Sequence, residues 1–264
     1  MAIADFYSLT EWYDILHAPG TARDVAVVRR IARRAKALGR DPGVWLEPAC
    51  GTGRHLRVLA AKGDRALGFD LKPEMVAYAK RSFRDMRAPR PRAFVADMRD
   101  FDDGRRLPRI DVAFNLINTI RHLSSDAAML AHFAAIARVL APAGVYVVGV
   151  SLAAYGLEGP TEDVWTARRA GVRVSQVVQY EPPTGSRGEA ARSERVISHL
   201  IVSRRGMPDE HVDSVYSLRS YNLAQWRELV RRSALREVAV ADSSGAPATP
   251  SEPGYYLFVL ARQD

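Results

Sequence analysis

The 264-residue chain contains a single cysteine, Cys50. One cysteine cannot form an intramolecular disulfide, so a disulfide-stabilised fold is excluded and a reducing compartment is favoured. The sequence also lacks any apolar run of about 18 residues, and its first residues do not have the pattern of a signal peptide. No Cys, His, Asp and Glu residues cluster at the spacing of metal ligands, so no metal site is predicted. These absences predict a cytoplasmic protein without a membrane segment.

Lysine is scarce, with four lysines among 38 basic residues, although the formal net charge is +8. A basic protein invites comparison with nucleic-acid-binding proteins. The densest group of arginines lies within residues 23–40, where it alternates with apolar residues at helical spacing. This pattern favours the solvated face of an amphipathic helix over a surface that binds a polyanion.

The order of apolar segments predicts the fold class. Between residues 44 and 150, short apolar strands alternate with helical patterns, as in a parallel sheet with crossover helices. Three later segments alternate with period two, which is typical of half-exposed antiparallel strands. They are residues 172–180, 193–202 and 213–221. We therefore predict an α/β, Rossmann-like fold: a seven-stranded, mostly parallel sheet with helices on both faces, plus an antiparallel β insertion after the fifth strand.

The same pattern divides the chain into three parts. Residues 1–40 are predicted to form an N-terminal helical lid, whose second helix covers about 22–39. Residues 41–156 and 223–264 form the core. Residues 157–222 form the β insertion.

A glycine-bearing turn, Gly51-Thr52-Gly53, joins the first predicted strand to a helix. Glycine permits unusual backbone angles and the close approach of a ligand. The N-terminus of the following helix offers N–H groups without partners inside the helix. A dinucleotide-binding turn has a third glycine where this chain has Leu56. The turn therefore argues against an NAD-dependent oxidoreductase and for a ligand without a pyrophosphate.

Two acidic residues end the next two predicted strands. Asp70 ends residues 66–70, at the distance from the turn where an acid meets ribose hydroxyls in doubly wound folds. Asp97 falls at the end of the strand predicted within residues 92–98. Together with the glycine turn, these acids predict a nucleoside at the carboxyl edge of the sheet.

Four segments in this order resemble the class I S-adenosylmethionine-dependent methyltransferases. They are residues 47–56, 68–79, 96–101 and 111–115. The resemblance implies S-adenosylmethionine as cofactor and S-adenosylhomocysteine as product. It also implies that Gly51 and Gly53 approach the methionine part, that Asp70 binds the ribose, and that Asp97 and Met98 lie at the adenine. The cofactor-binding set that we predict is Glu47, Ala49, Gly51, Gly53, Arg54, Asp70, Leu71, Asp97, Met98 and Asn115.

His122 and Tyr13 are the predicted catalytic residues. His122 follows the fourth strand, and its segment resembles that of amino-sugar N-methyltransferases; a histidine pKa near 6.5 suits a proton acceptor. Tyr13 belongs to a Tyr-Asp pair that recurs near the N-terminus of the resembled enzymes, where it closes the site. The alternatives are that His122 only forms hydrogen bonds within its loop and that the Tyr13 ring only packs against its neighbours. Predicted substrate contacts are Tyr7, Trp12, Asn118, Arg121, Arg219 and Tyr221.

The predicted function is methyl transfer from S-adenosylmethionine to a nitrogen or oxygen of a small-molecule acceptor, with amino-sugar and glycine N-methyltransferases most similar in pattern. An RNA or DNA methyltransferase is one alternative, although residues 115–118 lack the proline that amino-group DNA methyltransferases carry there. A catalytically inactive cofactor-binding partner is another. The insertion serves either as an acceptor platform or as the contact of a homodimer.

Overall fold

The computed structural model describes residues 6–37 and 43–263. Two short 3₁₀ helices cover Phe6–Ser8 and Thr119–His122. The α-helices are α1 (Thr10–His17), α2 (Thr21–Arg34), α3 (Arg54–Ala61), α4 (Pro73–Phe83), α5 (Asp126–Val139) and α6 (Leu223–Arg231). The strands are β1 (Val44–Pro48), β2 (Arg65–Asp70), β3 (Arg92–Val95), β4 (Ile110–Asn115), β5 (Leu140–Leu152), β6 (Thr161–Arg169), β7 (Val172–Glu181), β8 (Ser193–Arg204), β9 (Glu210–Arg219), β10 (Leu235–Ala241) and β11 (Gly254–Arg262).

Seven strands form the main sheet in the order β10-β11-β5-β4-β1-β2-β3. The five strands from β5 to β3 are parallel, whereas β11 runs antiparallel to both β5 and β10. The chain order reverses between β1 and β4, and open α/β sheets bind ligands beyond the strand ends at such a point. The predicted sheet is confirmed.

Two apolar layers cover the faces of this sheet. Phe133 of α5 and Trp226 of α6 are fully buried on one face, together with Tyr146 of β5. Val28 of α2 packs on the opposite face, together with Val147 of β5. Neighbouring residues of β5 thus enter different layers, because side chains alternate along a strand. Helices lie on both faces of the sheet, as predicted.

The insertion after β5 is a separate antiparallel sheet with the order β6-β7-β8-β9. It contains one strand more than the three predicted. Strand β6 was not recognised because it is a charged edge strand in which only Ala167 is buried. The last strand ends at Arg219, and Tyr221 forms a single bridge to Leu152 of the core instead.

The N-terminal segment packs against the insertion. Phe6, Ile15 and Leu16 share an apolar cluster with Val174 and Leu200 of the insertion sheet. Helix α2 ends at Arg34, earlier than the predicted end near 39, and residues 38–39 lie outside the described part of the chain.

Asp14 of α1 connects the N-terminal segment to its neighbours. Its carboxylate accepts hydrogen bonds from Arg57 of α3 (2.7 Å), Tyr78 of α4 (3.1 Å) and Arg169 of β6 (2.5 Å). Burial alone would raise the pKa of Asp14, but the hydrogen bonds from the two arginines hold it below its usual value. Asp14 therefore joins the N-terminal segment to both the core and the insertion. Within the described ranges, no helix is both long and apolar enough to span a bilayer.

Candidate active site

The turn between β1 and α3 takes a backbone course that requires glycine at two places. Gly51 and Gly53 have φ angles of +52° and +70°. A Cβ atom on Gly53 would lie 2.5 Å from Cζ of Phe83, so both conformation and packing exclude a larger residue there. A Cβ on Gly51 would lie 3.5 Å from the Tyr13 ring. The Gly51 backbone therefore carries no side chain on the side that faces the Tyr13 ring.

Asp70 ends β2 beside this turn. Its Oδ2 atom accepts a hydrogen bond from the Gly51 N–H at 2.8 Å, and Oδ1 accepts one from the Lys72 N–H at 2.9 Å. Burial raises the pKa of Asp70, and these two backbone donors oppose that rise. The carboxylate is thus held in a fixed orientation at the carboxyl edge of the sheet.

A cavity of about 540 Å³ extends from the glycine turn to the insertion sheet. Of the ten predicted cofactor residues, all but Gly53 line it. His122 and Tyr13 also line it, as do Tyr7 and Asn118. The fold therefore brings the predicted cofactor and catalytic residues around one space.

Glu47 carries an unused oxygen in the wall of this cavity. Its Oε1 atom lies 2.6 Å from Nδ1 of His55, whereas the buried Oε2 atom has no hydrogen-bond partner among the described residues. A buried acceptor without a partner is costly, so a ligand that donates to it is favoured there. The Arg54 side chain is held by α2, because its guanidinium donates to the Thr21 hydroxyl at 2.9 Å.

Asp97 lies two residues beyond the end of β3, whereas the predicted strand included it. Arg99 donates to both of its carboxylate oxygens, at 2.9 and 2.7 Å, and these hydrogen bonds lower the pKa of Asp97. The backbone oxygen of Met98 lies 2.9 Å from Nδ1 of His132. The loop after β3 is therefore attached to α5 beneath it.

Two asparagine side chains stabilise the segment after β4. Asn115 donates to the Pro48 carbonyl at 2.7 Å and so joins β4 to β1. Asn118, with φ +61°, donates to the Ser151 hydroxyl at 2.9 Å and accepts from the Ser151 N–H at 2.7 Å. These bonds fix the segment that carries His122.

An aromatic group surrounds His122. The Tyr7 hydroxyl lies 2.8 Å from Nε2 of His122, and the Tyr216 ring lies 5.4 Å from the His122 ring. Tyr13 lies 6.0 Å from Tyr7, ring centre to ring centre. Burial raises the pKa of Tyr13 to about 12, so its hydroxyl stays protonated near neutral pH. The group thus offers one imidazole that can accept a proton and hydroxyls that can donate hydrogen bonds.

Known proteins resemble this chain in sequence and fold. A family described as a methyltransferase domain matches residues 46–144, the part that carries the glycine turn and both acids. The chain is 34% identical over 148 residues to a dTDP-3-amino-3,6-dideoxy-alpha-D-glucopyranose N,N-dimethyltransferase of Streptomyces fradiae. It is 24% identical over 225 residues to a dTDP-3-amino-3,4,6-trideoxy-alpha-D-glucopyranose N,N-dimethyltransferase of Streptomyces venezuelae. The chain is therefore similar to S-adenosylmethionine-dependent methyltransferases over these residues.

The extent of these matches differs. The first covers 53% of this chain and only about half, 52%, of the Streptomyces fradiae protein. The second covers 85% of this chain and 88% of its relative. The crystal structure of Streptomyces venezuelae DesVI superposes with a TM-score of 0.74 at 21% identity, covering 99% of this chain and all of that one. The whole fold, including the insertion, is therefore shared with a known structure.

Four predicted substrate residues lie away from the cavity. Arg121 donates to the Arg219 carbonyl at 2.7 Å and to Glu194 at 2.8 Å, and Arg219 pairs with Asp126 at 3.0 Å. Tyr221 is fully buried beside the Arg192 guanidinium, and Trp12 lies beneath that of Arg204. The first three residues join the insertion to the core. Because side chains alternate along a strand, Leu218 lines the cavity and its neighbour Arg219 does not.

The sequence did not indicate the cavity wall that the insertion supplies. Six residues from its inner face line the cavity: Trp165, Gln176, Val178, Tyr180, Tyr216 and Leu218. The period-two pattern predicted half-exposed strands, but it did not show which face of the sheet meets the core. One signal was present, since β6, β7 and β9 each carry one aromatic residue, and all three of these residues line the cavity.

Proposed function

We propose that this protein binds S-adenosylmethionine at the glycine turn and transfers its methyl group to the amine of a small hydroxylated acceptor, an amino sugar carried on a nucleotide. The observation that carries the proposal is the single cavity that joins Asp70 and the glycine turn to His122. The two curated relatives, which methylate such sugars by name, support the acceptor class.

The residues at the glycine turn fit the cofactor. An ammonium group would satisfy the unpartnered Oε2 atom of Glu47. Asp70 would accept hydrogen bonds from the ribose hydroxyls, and Asp97 and Met98 would lie at the adenine. When bound, the cofactor supplies a methyl group on a sulfonium, which is the reactive group of the reaction.

The chain's own residues would align the acceptor and take its proton. The amine would have to be neutral to attack the methyl carbon. The N–C bond would form as the sulfonium S–C bond breaks, which gives S-adenosylhomocysteine and an ammonium that loses one proton. His122 would accept that proton. With Nε2 protonated, the Tyr7 oxygen at 2.8 Å would accept its N–H and stabilise the imidazolium. Tyr13, protonated near neutral pH, would donate a hydrogen bond next to the glycine turn.

The insertion would serve as both platform and dimer contact, and we retain the division into lid, core and insertion. Its inner face lines the cavity. The opposite face exposes Val164 and Val215, which are 63% and 44% accessible and alternate with the cavity-lining Trp165 and Tyr216. A homodimer through this outer face would bury these valines. Light scattering, which gives the molecular mass in solution, tests this for V164K/V215K and for the unmodified protein. We expect the unmodified protein to be a dimer and the variant a monomer, and a dimer that persists in the variant contradicts the proposed contact.

The arginines of α2 weaken the nucleic-acid alternative. Arg29 pairs with Asp64, Arg30 donates to the Ser244 carbonyl, and Arg34 donates to the Gly245 carbonyl. Part of the basic cluster therefore stabilises contacts with neighbouring loops. We also propose a cytoplasmic location, which the single cysteine favours.

Thermal unfolding with S-adenosylhomocysteine, and with NAD as control, tests the cofactor. A ligand at 100 times its dissociation constant adds about 2.7 kcal/mol to the free energy of unfolding, or roughly 5–10 °C in Tm. We expect a shift with S-adenosylhomocysteine alone. No shift with it, or a shift with NAD, contradicts the proposal.

The acceptor is tested by incubating the protein with S-adenosylmethionine and each of the two amino-sugar nucleotides named for the relatives, with mass analysis of the products. We expect one or two added methyl groups. Cofactor binding without transfer to either sugar would favour the inactive-partner alternative.

A further inference from the structure

Gln176 places an amide in the cavity wall with one end unused. The side chain is 1% exposed, and its Nε2 atom donates to the Ser198 hydroxyl at 2.7 Å. The buried Oε1 atom has no hydrogen-bond partner among the described residues. Exchanging the amide oxygen and nitrogen would leave the other end unused instead, since Ser198 serves only one of them.

One other described residue that lines the cavity also has a buried oxygen without a hydrogen-bond partner. Among the described cavity-lining residues, buried side-chain atoms without a partner occur only on Glu47 and Gln176. The Glu47 oxygen is at the glycine turn, where the proposed cofactor accounts for it. Gln176 is on the insertion, so a different ligand must account for its oxygen.

Trp165 lies next to Gln176. The two residues are direct cross-strand partners on β6 and β7, and both line the cavity. The Trp165 side chain remains 39% exposed, although it is large and apolar. An indole face packs against the C–H groups of a sugar ring, and a planar amide beside it binds the ring's hydroxyls. The pair therefore offers both kinds of contact that a carbohydrate ring requires.

The same sheet face borders the proposed transfer position. Tyr216 is on the inner face with Gln176, and its ring lies 5.4 Å from that of His122. A ring held between the insertion and His122 can therefore turn its amine toward the methyl and a hydroxyl toward the insertion.

We propose that Trp165 and Gln176 form the subsite for the sugar ring of the acceptor, with a ring hydroxyl next to the amine donating a hydrogen bond to the Gln176 amide oxygen. This inference rests on the proposed function and names the residues that would select its acceptor. A hydroxyl bound in this way discriminates strongly, because its absence leaves a buried polar atom unpaired.

The two sugar nucleotides named above test the proposal, since the 3,6-dideoxy sugar has hydroxyls at C2 and C4 and the 3,4,6-trideoxy sugar has only the one at C2. Their binding is measured by calorimetry with S-adenosylhomocysteine present, for the unmodified protein and for Gln176→Leu. We expect roughly 10-fold weaker binding in the variant, the effect of one lost hydrogen bond of about 1.4 kcal/mol. A loss for both sugars identifies the C2 hydroxyl, and a loss for the first alone identifies that at C4.

Gln179→Leu is the matched control, because Gln179 is on the same strand but faces outward and donates to Glu162 at 3.1 Å. Gln176→Met serves if the leucine variant does not fold, and Trp165→Leu should weaken both sugars. Unchanged binding of both sugars in a folded Gln176 variant overturns the proposal while leaving the proposed function intact. If the unmodified protein binds S-adenosylhomocysteine but neither sugar, the acceptor class proposed above fails, and this subsite fails with it.

Discussion

The Tyr7 hydroxyl lies 2.8 Å from Nε2 of His122, although 115 residues separate them along the chain. Tyr7 belongs to the N-terminal segment and His122 to the 3₁₀ helix after β4. Tyr216 of the insertion contacts both rings, at 5.9 and 5.4 Å. The N-terminal segment, the segment after β4 and the insertion sheet therefore meet at the His122 imidazole.

His122→Asn removes the proposed proton acceptor and keeps a polar side chain of similar size. We expect turnover to fall by roughly 10²-fold or more, the range for loss of a general base. Binding of S-adenosylhomocysteine should stay unchanged, which calorimetry checks. His211→Asn, at an exposed position of the insertion, is the control. Equal turnover in the His122 variant would remove this residue from the mechanism.

Asp70→Asn tests the ribose contact. The substitution keeps the shape of the side chain but removes the charge that accepts from the Gly51 and Lys72 N–H groups. A hydrogen bond to a charged group contributes about 1.5–3 kcal/mol. We expect S-adenosylhomocysteine to bind about 30-fold more weakly in calorimetry. Asp85→Asn is the control, because Asp85 is an exposed carboxylate that, like Asp70, follows the glycine turn in sequence. This variant should bind S-adenosylhomocysteine as the unmodified protein does. Equal affinities in the two variants would contradict the assigned role of Asp70.

The features that the sequence predicted are local ones. A strand, a glycine turn and a helix N-terminus are contiguous, so Gly51, Gly53 and the helix after them could be assigned from their order alone. Asp70 and Asp97 could be placed because parallel strands bring their carboxyl ends to one edge.

Features that depend on pairing between distant strands were not predictable in this way. Strand β6 has little alternation because it is an exposed edge, so neither it nor Trp165 was found. Arg219 does not line the cavity although Leu218 does, because a shift of one residue reverses the face of a strand. Arg121 and Tyr221 follow cavity-bordering segments in sequence but are buried at the junction of insertion and core.

The buried His132 and the half-buried His17 predict how the free energy of unfolding depends on pH. Burial lowers the pKa of His132 and of His17 from 6.5 to about 4. Between these values the unfolded chain binds protons that the folded protein excludes. The free energy of unfolding should therefore fall as the pH drops from about 6.5 to 4, by up to about 1.4 kcal/mol per pH unit for each histidine, and this contribution is complete above about 6.5.

His132→Gln tests this slope in urea unfolding at several pH values. Glutamine can still hydrogen-bond to the Met98 carbonyl and the Tyr146 hydroxyl, which His132 contacts at 2.9 Å each. The variant should lose stability less steeply between pH 6.5 and 4 than the unmodified protein. An identical slope would show that His132 does not titrate in this range.

Gly53→Ala separates the two reasons for glycine in the turn. A residue with φ +70° costs about 1–2 kcal/mol when it carries a Cβ, and the new atom would also lie 2.5 Å from the Phe83 ring. Overpacking of a buried site adds about 1–3 kcal/mol. Gly104→Ala is the matched control, since Gly104 has φ +62° but nothing within 4 Å of a Cβ, so it carries only the backbone cost. We expect urea unfolding to give a clearly larger loss for Gly53→Ala, and F83L should recover part of it. Equal losses in the two alanine variants would mean that backbone conformation alone requires glycine at position 53.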